Sequence, residues 1–156
     1  MILIIAYGNT LRQDDGAGLA LGQILEKELR ARRVDVERIT VHQLMPELAL
    51  ELARERVKAV IFVDTRVATD DDTLKVQILP LFADTPSPSI GHHLNPVTVL
   101  VYARLLYNKQ LPAWQLTVPG VNFEHGEEFS TIAQVALATA PELLTDWLAE
   151  FIHCPA

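Results

Sequence analysis

The 156-residue chain has a single cysteine, Cys154. One thiol forms no internal disulfide and supplies no multi-cysteine zinc site, which fits a reducing compartment. Cys154 has no evident activating neighbour and reads as inert. Basic residues are in the minority, 13 against 20 acidic, giving a net charge of −7. A basic face for nucleic acid or anionic lipid is therefore not expected. No apolar run approaches the roughly 18 residues of a membrane span. The opening Met1 to Ala6 lacks the positive charge that precedes a secretory leader, so a cytoplasmic protein is expected. A monomer is expected as well. The familiar nucleotide and nucleophile signatures are also missing. Gly8-Asn9-Thr10-Leu11 is not a dinucleotide fingerprint, no P-loop lysine follows a glycine-rich turn, and there is no G-x-S-x-G elbow.

What the chain does have is apolar patterning, with 49% hydrophobic residues, enough for one core in one domain spanning 1–156. Ile2 to Ala6 is an unbroken apolar run, as in a central strand covered on both faces. A helix is predicted over Ala17 to Arg32, with the stripe Leu21, Ile24, Leu25 and Leu29 facing inward. Glu26–Arg30 and Glu28–Arg32 are i,i+4 pairs on its wet side. A second strand is placed around Arg38 to Gln43. Pro46 opens a short helix ending near Glu55, and Val57 to Val63 forms a third strand with Asp64 just beyond it. Leu74 to Leu79 is a further strand stopped by Pro80, and Leu81 to Leu94 reads as a loop. Asn95-Pro96 caps and opens a helix to Tyr107. Gln115 to Val118 is the last strand. Ser130 caps a terminal helix whose inward face is read as Ile132, Val135, Ala136, Leu143, Leu144, Trp147, Leu148 and Phe151. Pro141 is expected to kink or split that helix. Alternating strands and helices predict an α/β three-layer sandwich: a mostly parallel, twisted five-stranded sheet with helices on both faces.

In such folds ligands bind beyond the C-terminal ends of the strands. Asp14-Asp15-Gly16 follows the first strand, Asp64 ends the third, and His92-His93 lies in the loop before the helix at Asn95. Two carboxylates and an imidazole make an N/O ligand set suited to a borderline divalent ion such as Ni²⁺ or Zn²⁺. Each also has a plain structural alternative: Asp15 capping the first helix, Asp64 bonding a following turn, the histidines lying on the surface. His42, at the end of the second strand, borders the same edge and reads as a partly buried histidine. Val63-Asp64-Thr65 matches two letters of the D-T-G of pepsin-like proteases, but Arg66 replaces the glycine and the α/β pattern is wrong for that fold. Glu124-His125-Gly126-Glu127-Glu128 reads as a solvated charged turn.

Gly8-Asn9-Thr10-Leu11-Arg12-Gln13-Asp14-Asp15-Gly16-Ala17-Gly18 resembles the opening motif of the hydrogenase maturation proteases, a strand followed by G-N-x-L-x-x-D-[DE]-x-x-G. The resemblance continues through His42-Gln43-Leu44-Met45-Pro46-Glu47-Leu48, Phe62-Val63-Asp64, Gly91-His92-His93-Leu94-Asn95-Pro96 and Glu127 to Ser130, and so spans nearly the whole chain. It implies an endopeptidase that trims the C-terminus of a nickel–iron hydrogenase large-subunit precursor after nickel insertion. By position Asp15 and Asp64 match the two metal-binding acids, and His92 matches the histidine, with His93 as the alternative. Gly91 stands where a serine is common, and Asp14 becomes a turn or capping residue. The implied nickel arrives with the substrate, although other divalent ions can occupy such a site in vitro. Asp15, Asp64 and His92 would then carry both metal recognition and catalysis, with water as the attacking group. A non-proteolytic metal-sensing chaperone and a small-anion hydrolase on the same scaffold are the competing readings.

Overall fold

A computed structural model describes residues 1–71, 73–83 and 94–153. The strands are β1 (Ile2–Tyr7), β2 (Val36–Val41), β3 (Ala59–Val67), β4 (Gln77–Leu81) and β5 (Ala113–Gly120). The helices are α1 (Ala17–Ala31), α2 (Leu48–Ala53), α3 (Pro96–Tyr107) and α4 (Thr131–His153), with a short 3₁₀ turn, Gln13–Gly16, leading into α1. The sheet order is β2-β1-β3-β5-β4. All pairings are parallel except β4 with β5, which is antiparallel.

Side chains alternate across a strand, so the apolar run of β1 feeds two cores. Ile2, Ile4 and Ala6 face the layer of α1 and α4. Leu3 and Ile5 face the layer of α2 and α3. This is the three-layer sandwich the alternating pattern predicts. The α1 stripe is as expected: Leu21, Leu25 and Leu29 are fully buried, and Ile24 packs at the margin. Both expected i,i+4 ion pairs form on its outer face, and Arg38 joins Glu26 at 2.6 Å. Asn95 caps α3 through Thr98 N–H, with Pro96 as its first residue. Ser130 caps α4 by accepting Ala133 N–H at 3.2 Å.

Several boundaries differ from the sequence reading, each for a local reason. α2 starts at Leu48, because Met45 to Glu47 form a preceding turn. β4 runs through Pro80 to Leu81 instead of stopping, which an edge strand tolerates because one side of its backbone needs no donor. α4 is helical straight through Pro141 and is not split. Thr145 Oγ1 donates to the Pro141 carbonyl at 2.9 Å, one turn further on. The inward face of α4 is also rotated from the one expected. Ala133, Ala136, Ala140, Leu144 and Leu148 are fully buried, whereas Val135 is exposed. Three alanines let the first half of α4 lie close to its neighbours. In its second half Trp147 and Phe151 meet Trp114 of β5, with edge-on contacts to Trp114 at 6.0 and 4.8 Å.

β3 is the strand that matters most for the site. It was expected to stop at Val63 but runs to Val67, because β5 continues to pair with it as far as Val67–Gly120. Its other neighbour ends sooner: the last β1 partner is Ala6, opposite Val63. Asp64 is therefore inside a strand, at the first position past the reach of β1.

Candidate active site

The C-terminal ends of β1 and β3 open onto a cleft of about 540 Å³. Asp15, Asp64, Tyr7, His42, Gln115 and Asn95 are among its lining residues. Two of the three expected ligands thus share one cavity, 49 residues apart in sequence. His92 and His93 lie outside the described residues, as does Cys154. Leu94 to Pro96, the residues that directly follow the two histidines, line the same cleft.

The approach of the two acids depends on two glycines. Gly8 has φ +154°, and a Cβ there would fall 2.2 Å from the Asp15 carbonyl oxygen. Gly18, in the first turn of α1, lies so close to β3 that a Cβ would be 2.8 Å from the Asp64 carbonyl carbon. Side chains at either position would push the Asp15 turn off the strand ends.

Neither acid follows its plain structural alternative. α1 has Gly16 at its N-cap and no side-chain cap, so Asp15 does not cap it. Instead Asp15 Oδ2 accepts Asn9 N–H at 2.8 Å, which fixes its carboxylate beside the β1 turn. Asp64 Oδ1 accepts the next residue's amide, Thr65 N–H, at 2.7 Å, within a continuing strand and not in a turn. Burial pushes the Asp64 carboxyl up, the Thr65 amide opposes this, and the nearby Asp15 charge adds to the rise, leaving it at about 7. Tyr7, the last residue of β1, is held protonated by burial and by the Asp64 charge. Its hydroxyl is therefore a donor, and Tyr7 lines the cleft.

Asp14 departs most from expectation. It sits in the 3₁₀ turn, as expected, but its carboxylate is fully buried and bonds to a distant segment. It accepts Val121 N–H at 2.8 Å, Asn122 N–H at 3.1 Å, Ser130 N–H at 2.7 Å and Ser130 O–H at 2.7 Å. Burial alone would raise its pKa, but these donors, Ser130 foremost, outweigh burial and hold it below the ordinary carboxylate range. The Asp14 carboxylate thus straps the β1–α1 loop to the segment between β5 and α4. Gln13 N–H to Gly126 O and Gly126 N–H to Leu11 O, both 2.8 Å, complete the strap. The charged turn at 124–128 is exposed in its side chains, as expected, but its glycine is anchored by the backbone.

His42 is exposed, not partly buried, and lines the cleft. It does not complete a ligand set: among the described residues no three His, Cys, Asp or Glu side chains converge as a metal site. Among the same residues no helix is long and apolar enough to cross a membrane.

The fold and site define a class: a three-layer α/β sandwich with two acids, one on the β1–α1 turn and one within β3, lining one cleft. No family model and no curated protein sequence matches the chain. Solved structures do. The hydrogenase maturating endopeptidase HybD from E. coli superposes with a TM-score of 0.66 at 20% identity, covering 96% of this chain and 92% of its own. The [NiFe] hydrogenase maturation protease HybD from Thermococcus kodakarensis gives 0.60 at 20%, covering 94% and 97%. HycI from the same organism gives 0.64 at 18%, covering 93% and 90%. The chain has the fold of the hydrogenase maturation proteases, over nearly its whole length.

Proposed function

We propose that this protein is an endopeptidase that removes the C-terminal extension of a nickel–iron hydrogenase large-subunit precursor once nickel is in place. One observation carries the reading: Asp15, on the β1–α1 turn, and Asp64, within β3, line one cleft. Leu94, Asn95 and Pro96, which follow His92 and His93 in sequence, line that cleft. Two carboxylates and one imidazole suit nickel by donor chemistry, and three protein ligands leave room for groups the substrate brings. On this reading the metal is part of the substrate. Asp15, Asp64 and His92, with His93 as the alternative, engage it and bring the scissile bond into register. A half-buried carboxylate pushed toward neutral pH, with a tyrosine hydroxyl beside it, suits proton transfer from an attacking water.

The test uses purified components. Nickel-loaded large-subunit precursor is incubated with the protein and its mass followed. Loss of a defined C-terminal peptide, dependent on nickel in the precursor, is the expected result. Stable binding without any cleavage would sink the protease assignment and favour the chaperone reading.

A further inference from the structure

Thr65 follows Asp64 on β3 and is buried. Its backbone N–H donates to Asp64 Oδ1 at 2.7 Å. Its hydroxyl accepts Gly18 N–H at 2.9 Å and donates to the Asp14 carbonyl at 2.7 Å. One residue therefore touches the carboxylate of one acid and the backbone that carries the other. A hydroxyl has one proton to give, and here it goes to the peptide immediately before Asp15. The lone pair that takes Gly18 N–H satisfies an amide in the first turn of α1 that lacks a helical partner.

The other side of the same turn is equally fixed. The Asp14 carboxylate holds the 121–130 segment through four donors. The turn at 14–15 is thus clamped between Thr65 on one side and that segment on the other, and Asp15 projects from it onto Asn9 N–H. We infer that Thr65 is a positioning residue that sets the spacing of Asp15 and Asp64 through its hydroxyl. The purpose of that spacing rests on the two-acid reading above, but the geometry stands without it. Two ligands on separate elements, a turn and a strand, share one ion only if their oxygens are held to within about 0.5 Å.

The experiment compares Thr65→Val, which keeps the shape and removes the hydroxyl, with Thr65→Ser, which keeps the hydroxyl. Amide NMR of the full chain reads position directly, because Asn9 N–H reports on the Asp15 carboxylate and Gly18 N–H on the Thr65 oxygen. Ni²⁺ alone, titrated by calorimetry, reads the ligand spacing. The valine variant is expected to shift both amides and to weaken Ni²⁺ binding about tenfold or more, with the serine variant within about threefold of wild type. If the valine variant does not fold, Thr65→Ala removes the same hydroxyl with less crowding and carries the comparison. An Asn9 amide that stays in place while Gly18 registers the lost bond overturns the inference. So does Ni²⁺ affinity unchanged in a folded hydroxyl-free variant. If wild type neither retains Ni²⁺ nor processes precursor, the endopeptidase reading falls, and the Asn9 arm still decides the role of Thr65.

Discussion

The two walls of the cleft are built in opposite ways. The wall made by the β1–α1 loop is tied at almost every residue. Asn9, Leu11, Gln13, Asp14 and Asp15 all make hydrogen bonds through backbone or side chain, and the Asp14 carboxylate that anchors them is buried. The facing wall, His42 to Pro46, is exposed apart from Leu44, which is buried in the α2–α3 core. Among the described residues the side chains of His42 and Gln43 form no hydrogen bond. A wall that holds chemistry must stay within tenths of an ångström, while a wall that meets a partner needs only its shape and its surface groups. The difference suggests a division of labour: placement of the acids on one side, contact with substrate on the other.

The sharpest way to break this comparison is at the acids. Asp64→Asn or Asp15→Asn is expected to reduce precursor processing about 1000-fold or more, measured as single-turnover peptide release. Near-normal processing by either variant would remove the basis of the site. Asp64→Asn should at the same time be more stable than wild type at pH 8. The folded carboxyl is raised from 3.8 to about 7, so ionisation destabilises the fold progressively as pH rises through that window. The difference, on the order of 2–4 kcal/mol in urea unfolding at pH 8, should vanish below pH 4.

The tied wall itself comes next. Asp14→Asn leaves donors without their charged acceptor and is expected to cost about 2–3 kcal/mol at neutral pH. Here the sign is reversed. The folded pKa is depressed, so wild type holds this stability above the unfolded pKa and loses it as pH falls through the folded one. A stability gap between wild type and Asp14→Asn that stays constant into acid would contradict the strap. Gly18→Ala, which crowds the Asp64 backbone, is expected to cost about 1–3 kcal/mol and to slow processing with it. His42→Ala should do least to the fold, within about 0.5 kcal/mol, and its effect should fall on KM more than on kcat. A large loss of stability there would mean that the open wall is not open.

Much of the architecture is legible in the sequence because periodicity and capping are local signals. The Leu21-Leu25-Leu29 stripe, the Asn95-Pro96 start and the Ser130 cap each need only neighbours within one turn. What escapes is set by partners distant in sequence. β3 runs past Val63 only because β5 keeps pairing with it, and Pro80 stays in β4 only because that strand is at an edge. The true inner face of α4 follows small alanines that a search for large apolar residues passes over. In the site, Asp14 and Asp15 are the same residue type side by side, and nothing local says which one turns inward. The answer lies in Ser130, 116 residues away. Thr65 escapes for the same reason, since its hydroxyl partners belong to another loop. The sequence does offer one retrospective hint, an aspartate doublet and a distant serine that both fall within motifs of the resemblance.

The aromatic cluster at the far end of α4 has a practical consequence. The chain has two tryptophans, Trp114 and Trp147, and both sit in that cluster, stacked with or edge-on to Phe151. Tryptophan fluorescence therefore reports a single event, the seating of α4 on β5, and is a poor witness to what happens between Asp15 and Asp64. Emission is expected to stay nearly constant when a ligand enters the cleft and to change when the helix lifts away. A tryptophan-like probe for the cleft has to be introduced, and the exposed wall at Gln43 offers a place to attach one.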